Sequence, residues 1–220
     1  MGQNYLDKKK YLELYKQSIE NTQQFWANQA QQFISWVKTW DIVSDCDFAT
    51  GKINWYAGGK LNACYNCLDR HLPDKANVPA IIWEGNSPNE SAVFTYQELY
   101  VQVCKFANVL ISLGVKPGDK VCIYLPMIPE LVIAMLACAR IGAVHSVVFG
   151  GFSAEALQAR ILDCGAKIVV TANEGLRGEK TIPLKDNVDT AIANLNLVTD
   201  VIVIKRTSNM SKVNDSRDRD

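Results

Sequence analysis

Residues 120–180 read KVCIYLPMIPELVIAMLACARIGAVHSVVFGGFSAEALQARILDCGAKIVVTANEGLRGEK and decide the fold of the chain. Three short apolar runs rich in Val and Ile lie in this stretch: Val121–Leu125, Val144–Phe149 and Ile168–Thr171. Each is too short for a helix and is typical of a strand buried on both faces of a parallel sheet. The two segments between the runs have helical length. The pattern therefore predicts strand, helix, strand, helix, strand, with right-handed crossovers.

Two glycine-containing turns follow predicted strands in this stretch. Gly150-Gly151 comes after the second strand, and Ser153 is a suitable N-cap for a helix over Ala154–Cys164. Gly175–Lys180 comes after the third strand and contains Arg177. The carboxyl ends of parallel strands share one edge of a sheet, where open α/β folds bind ligands. Glycines, a helix N-terminus and two cations at one edge indicate an anionic ligand such as a phosphate. The alternative is a tight turn beside solvated loop charges.

Composition places the chain among ordinary globular proteins. Hydrophobic residues make up 48% and charged residues 21% of its 220 residues, and the formal net charge is +0. Without a basic field, we expect no nucleic-acid binding. Leu131–Gly150 is apolar but is interrupted by Arg140, Gly142 and His145, so we expect no membrane span.

The cysteines and the amino terminus predict a cytoplasmic location. Seven cysteines occur without the spacing of a disulfide framework, and Met1–Lys10 is polar and basic with no apolar run behind it, unlike a signal peptide. Cys64 and Cys67 form a lone C-x-x-C without a second pair, so we expect no metal site. His71 has no evident nucleophile or carboxylate partner, and we assign no catalytic residue.

The predicted fold class is α/β, a mostly parallel sheet flanked by helices with a helical and irregular amino-terminal extension. We place that extension at residues 1–78, an α/β subdomain at 79–206, and a polar tail at 207–220 that is disordered or truncated. Ala80–Glu84 and Ala92–Tyr96 flank a turn and predict a hairpin. Thr95 and Glu98 predict a capping box at the start of the next helix.

Motifs along most of the chain resemble a known family, the AMP-forming acetyl-CoA synthetases of the adenylate-forming superfamily. They are collinear from about Tyr11 to Arg206 and include GGKLN at 58–62, YNCLDRH at 65–71, YLPMIPE at 124–130, HSVVFGGFS at 145–153 and RGEK at 177–180. The resemblance implies that the chain is the amino-terminal part of an acetate–CoA ligase and holds one α/β subdomain of the large adenylate-forming domain.

The resemblance also implies a reaction and its substrates. Such a ligase activates acetate with ATP, assisted by Mg²⁺, to give acetyl-adenylate, and then transfers the acetyl group to CoA. The family's phosphate loop, acyl pocket, adenine contacts and catalytic lysine have no counterpart before Asp220. We therefore expect that the ATP and Mg²⁺ sites lie outside this chain and that the chain alone is inactive.

The resemblance implies that this chain contains part of the family's CoA site. The matching positions are Phe149, Gly151, Arg177, Gly178, Glu179 and Lys180. An arginine fork suits a phosphate, and a lysine adds a point charge. Glu179 stands where the family often has glycine, and a carboxylate there repels a phosphate unless it faces solvent or pairs with Lys180. Ala154 replaces the family's common proline at the first helical position.

Other functions stay open at the level of sequence. Nothing in the sequence decides between acetate and propionate or another short acid. A non-catalytic module that binds CoA or a nucleotide is the alternative description of the isolated chain. A dinucleotide-binding oxidoreductase domain is disfavoured because Gly150-Gly151 has no third glycine in register. The predicted partners are small-molecule substrates, with no nucleic acid and no membrane, and the sequence predicts no oligomeric state.

Overall fold

A computed structural model describes residues 6–219, so residues 1–5 and residue 220, the ends of the predicted extension and tail, lie outside the described part. The chain divides into two units, Met1–Asn62 and Ala63–Asp220. The division falls at Asn62 because Cys64 and Leu68 already belong to the hydrophobic core of the second unit. The three-part division at residues 78 and 206 stays a prediction.

The first unit contains two helices and a small antiparallel sheet. Its elements are α1 (Lys8–Glu20), α2 (Thr22–Phe33), β1 (Ile42–Ser44) and β2 (Trp55–Ala57). Asp7 caps α1 by accepting a hydrogen bond from the backbone amide of Lys10 at 2.7 Å. The rings of Trp36, Trp40 and Tyr56 pack together with centroids 5.0 to 5.5 Å apart, so aromatic contacts hold the irregular part of this unit.

The second unit alternates strands and helices. Its first elements are α3 (Ala63–Cys67), a 3₁₀ turn (Asp69–His71), α4 (Leu72–Lys75), β3 (Pro79–Glu84), β4 (Ser91–Thr95), α5 (Tyr96–Ser112), β5 (Lys120–Leu125) and α6 (Pro129–Ile141). It continues with β6 (Val144–Phe149), α7 (Ala154–Cys164), β7 (Ile168–Ala172), β8 (Gly175–Arg177), β9 (Lys180–Ile182), α8 (Leu184–Ile192), β10 (Asp200–Ile204) and β11 (Asp218–Arg219).

A five-stranded parallel sheet in the order β11-β10-β7-β5-β6 forms the centre of this unit. The predicted α/β class is confirmed, as are the predicted strands and the helix capped by Ser153. The chain moves from β5 to β6 and then returns past β5 to β7. With right-handed crossovers, α6 and α7 therefore cover opposite faces, and a topological switch point lies between β5 and β7.

The three strands β5, β6 and β7 differ in burial, which the sequence did not predict. β5 after Lys120 and all of β7 are buried, as expected. β6 instead lies at one edge of the described sheet, and Val144, Val147 and Phe149 are 46–56% exposed. The prediction that this run is buried on both faces was wrong because β6 pairs with β5 alone within the described residues.

Two further segments have more structure than the sequence indicated. Gly175–Lys180 is not an open loop but belongs to the β8–β9 hairpin. Asp218–Arg219 in the polar tail pairs with β10 as β11. The buried side chain of Asn173 also holds this region, since its amide donates to the carbonyl oxygens of Thr207 and Asn209 at 3.1 and 2.9 Å.

The β3–β4 hairpin runs directly into α5. Thr95 Oγ1 accepts a hydrogen bond from the amide of Glu98, and the Glu98 carboxylate accepts one from the amide of Thr95, which confirms the predicted capping box. No helix in residues 6–219 combines the length and the apolarity needed to cross a bilayer.

Candidate functional site

The turn between β6 and α7 forms one side of the candidate site. The amide of Phe152 donates to the carbonyl oxygen of Phe149 at 3.0 Å, which closes the turn over Gly150 and Gly151. Ser153 Oγ then accepts a hydrogen bond from the amide of Ala156 and starts α7. The positive end of a helix therefore lies beside a turn of small residues at the carboxyl edge of the sheet.

Gly151 is required by the position of an aromatic ring. A Cβ atom at Gly151 would lie 2.6 Å from the ring of Phe149, so any side chain there would displace that ring. Phe149 is 56% exposed and meets Phe152 edge to face, with ring centroids 5.9 Å apart. An exposed aromatic surface is thus held next to the helix end.

A buried tyrosine in β5 also holds the turn between β6 and α7. Tyr124 is fully buried, and its hydroxyl donates to the carbonyl oxygen of Phe152 at 2.7 Å. The side-chain amide of Asn187 donates to the Tyr124 hydroxyl at 3.2 Å. Burial raises the pKa of Tyr124 and the hydrogen bond from Asn187 partly offsets it, so the phenol is neutral in the ordinary pH range.

The β8–β9 hairpin presents the two cations predicted from the sequence. Its register pairs Gly175 with Ile182, Leu176 with Thr181, and Arg177 with Lys180. Side chains directly opposite each other on an antiparallel pair lie on the same face, so Arg177 and Lys180 form an exposed basic pair. Like charges in such a pair are destabilising, and a bound anion relieves the repulsion.

The turn of this hairpin contains the remaining predicted residues. Gly178 has a φ of +58°, in the left-handed region that favours glycine. Glu179 follows and is exposed, and within the described residues it forms no ion pair with Arg177 or Lys180. Its carboxylate therefore faces solvent without neutralising the basic pair.

A cavity of about 570 Å³ lies between the glycine turn, the β8–β9 hairpin and the β3–β4 hairpin. Its lining includes Trp83, Asn86, Met127, Leu131, Phe149, Gly151, Leu176, Arg177 and Arg206. Leu125 and Gly175, at or just past the ends of β5 and β7, also line it, so the cavity sits at the topological switch point. The structure thus brings Phe149, Gly151 and Arg177 to one cavity, while Glu179 and Lys180 lie at a neighbouring depression that Arg177 also lines.

The two arginines of the cavity have different electrostatic surroundings. Arg206 binds the two carboxylate oxygens of Glu90 through Nη1 and Nη2 at 2.6 and 2.7 Å, and its guanidinium carbon lies 5.3 Å from the centre of the Trp83 ring. Hydrogen bonding from Arg206 lowers the pKa of the Glu90 carboxyl. Arg177 has no carboxylate partner among residues 6–219, so its charge is available to a ligand.

Sequence reasoning missed the contribution of the β3–β4 hairpin. The turn after Glu84 was recognised, but no local pattern showed that Trp83, Asn86 and Arg206 meet at the carboxyl edge of the sheet. Trp83 Nε1 donates to the carbonyl oxygen of Met127 at 2.7 Å, across 44 residues. No three His, Cys, Asp or Glu side chains in residues 6–219 are grouped to hold a metal ion.

Comparisons with known proteins give consistent matches. The family model described as "AMP-binding enzyme" matches residues 68–220, and the model described as "Acetyl-coenzyme A synthetase N-terminus" matches residues 11–67. An acetyl-coenzyme A synthetase of Saccharophagus degradans is 54% identical over 214 residues, which is 97% of this chain and 33% of that protein. One of Leptospira biflexa is 55% identical over 214 residues, 96% of this chain and 33% of that protein.

A solved structure shares the fold. Acetoacetyl-CoA synthetase from Streptomyces lividans matches with a TM-score of 0.84 and 27% identity, over 94% of this chain and 32% of that one. The chain therefore spans about a third of the length of the curated relatives that it matches.

Proposed function

The chain belongs to the AMP-binding enzyme family, and from this premise we propose that it forms the amino-terminal portion of an acetate–CoA ligase and supplies part of the CoA site. The proposed substrates are acetate, ATP and CoA. In the first step an acetate oxygen attacks the α-phosphorus of ATP and pyrophosphate leaves. In the second, the CoA thiol attacks the acetyl carbonyl carbon and AMP leaves.

The observation that carries the proposal is the basic pair of Arg177 and Lys180 beside the cavity. CoA ends in an adenosine with a 3′-phosphate. The Arg177 fork can donate two parallel hydrogen bonds to that phosphate, and Lys180 adds a charge on the same face. Phe149 offers an exposed ring for the adenine, and Gly151 leaves room for that ring.

The residues of this chain bind and orient CoA, and none is assigned to the bond-making steps. Mg²⁺ would neutralise charge on the ATP phosphates, and no described residue is assigned to hold it. We propose that the ATP site lies in a part of the enzyme that this chain does not include. The isolated chain is then expected to release no pyrophosphate in the presence of acetate and ATP.

The test of the CoA site is calorimetric titration of CoA and dephospho-CoA into this chain. We expect CoA to bind about 10-fold more tightly, because a charge-assisted contact with the 3′-phosphate is worth about 1.5–3 kcal/mol in a favourable site. Arg177→Ala should remove most of the difference between the two ligands. Lys167→Ala is the matched control, since Lys167 is exposed just before β7 at the opposite edge of the sheet. An unchanged preference for CoA in Arg177→Ala would refute the assignment.

A different acyl specificity is the second candidate function. The solved structure of similar fold is an acetoacetyl-CoA synthetase, whereas the relative from Saccharophagus degradans is an acetyl-coenzyme A synthetase, so this part of the fold occurs with more than one acyl group. Acetate-, propionate- and acetoacetate-dependent pyrophosphate release by the full enzyme separates these activities.

A cytoplasmic location is also part of the proposal. It rests on the seven free thiols, which a reducing compartment maintains.

A further inference from the structure

Asn86, in the turn between β3 and β4, forms two hydrogen bonds to the backbone of the β8–β9 hairpin. Its side-chain nitrogen donates to the carbonyl oxygen of Gly178 at 2.7 Å, and its side-chain oxygen accepts a hydrogen bond from the amide of Gly178 at 2.9 Å. The two residues are 92 positions apart in the chain. One primary amide thus satisfies both backbone polar groups of the glycine that forms the hairpin turn.

The turn that carries Asn86 is itself anchored to the sheet. The carboxylate of Glu90 accepts a hydrogen bond from the backbone amide of Asn86 at 3.1 Å. The same carboxylate binds the guanidinium of Arg206, which lies two residues past the end of β10. Trp83, under Arg206, is tied to the loop after β5 by its bond to Met127. These contacts hold the turn that carries Asn86 in place relative to the sheet.

The β8–β9 hairpin needs a tertiary contact of this kind to be stable. Its strands have three residues each, and an isolated two-stranded hairpin is marginally stable in water. Its register also places Arg177 opposite Lys180, and this repulsion weakens the turn between them. Asn86 contacts only the backbone at Gly178, so it restrains the hairpin and leaves both cationic side chains exposed.

We propose that Asn86 is the positioning residue of the CoA phosphate site: its two hydrogen bonds to Gly178 hold Arg177 and Lys180 where they meet the 3′-phosphate. This inference rests on the proposed function. It adds a residue from another hairpin, far away in sequence, whose role is to reduce the ordering cost when the ligand binds.

The test compares Asn86→Ala with Asn89→Ala, an exposed asparagine in the same turn. Without ligand, hydrogen exchange at the Gly178 amide should become at least about 10-fold faster in Asn86→Ala, because its hydrogen-bond acceptor is gone. The dissociation constant for CoA should rise about 3- to 10-fold, since one or two net hydrogen bonds are lost, while that for dephospho-CoA stays the same. Asn89→Ala should match the wild type in both measurements.

A double substitution separates positioning from general loss of structure. If Asn86 acts through the two cations, then Asn86→Ala should cost no CoA affinity when Arg177→Ala and Lys180→Ala are already present. A structural defect would cost the same in both backgrounds and would overturn the inference. Asn86→Ser, whose short hydroxyl cannot bridge both groups of Gly178, is the second variant and should behave as Asn86→Ala does.

The two possible failures are distinguishable. If the wild type prefers CoA over dephospho-CoA and Asn86→Ala keeps the whole preference, the positioning role is refuted and the proposed function stands. If the wild type shows no preference, the proposed function fails, and the positioning role fails with it. Unchanged exchange at Gly178 in Asn86→Ala would refute the contact itself.

Discussion

The ammonium nitrogen of Lys185 lies 2.8 Å from a carboxylate oxygen of Asp218, and both side chains are only 1% exposed. Lys185 also contacts Asp189 at 2.7 Å, and Arg217 contacts both Asp189 and Asp218, at 2.6 and 3.0 Å. This network joins α8 to β11. It places Asp218 beside Val201 of β10 and so fixes the register of the last described strand.

Lys185→Met should lower the free energy of unfolding by about 3 kcal/mol. Removal of one partner from a buried ion pair typically costs about 3–5 kcal/mol because the other charge stays buried. Arg217 remains beside Asp218 and keeps the loss near the lower end. Urea unfolding measures the change. Lys167→Met, at an exposed lysine, should stay within about 0.5 kcal/mol of the wild type, and an equal loss in both variants would contradict this account of the network.

The decrease in the free energy of unfolding at acidic pH should depend on Asp218. Burial alone would raise the pKa of this carboxyl, but hydrogen bonds from Lys185, Asn214 and Arg217 outweigh burial and lower it. A carboxyl whose pKa is lower in the folded chain stabilises the fold above its unfolded value of about 3.9. That contribution disappears as the pH falls through the lower, folded pKa.

Unfolding of the wild type and Asp218→Asn, measured from pH 7 down to pH 2, tests this dependence. The difference between the two proteins should be largest at neutral pH and should shrink below about pH 4. A difference that is constant across this range would show that the ionisation of Asp218 does not contribute.

Local patterns were sufficient to predict the strands of the sheet except the last one, β11. β5, β7 and α7 follow from apolar runs, helical length and the cap at Ser153, which are contained within short segments. β11 has no apolar pattern, because it is held by ion pairs to Lys185, 33 residues away in the chain. Charged residues in a polar tail give no sequence signal of such a partner.

The candidate site shows the same division. Phe149, Gly151 and Arg177 reach one cavity because the carboxyl ends of parallel strands share an edge, which the strand pattern already implied. The hairpin that pairs Arg177 with Lys180 was not predicted, since Gly175–Ile182 has neither alternation of useful length nor a typical two-glycine turn. Asn86 was missed because its only relevant contact is across tertiary structure.

Tyr124→Phe should destabilise the glycine turn. The substitution removes the hydroxyl that donates to Phe152 and leaves the Phe152 carbonyl oxygen and the Asn187 amide without that partner. The expected loss is about 1–2 kcal/mol in thermal or urea unfolding. Tyr15→Phe, at a tyrosine that is 56% exposed, is the control and should change little. Equal stability of Tyr124→Phe and the wild type would show that the hydroxyl does not support the turn.

Glu179→Gln should strengthen CoA binding about 2- to 5-fold at low salt. The carboxylate lies next to the basic pair without an ion-pair partner among the described residues, so it repels the 3′-phosphate through solvent, at an energy of about 1 kcal/mol or less. The gain should shrink in 0.5 M salt, where exposed charges are screened within about 4 Å. Titrations of CoA at both salt concentrations measure it, with Asp163→Asn, an exposed acid on α7, as the control. Weaker binding of CoA to Glu179→Gln at low salt would mean that the carboxylate orients the cations instead of opposing the ligand.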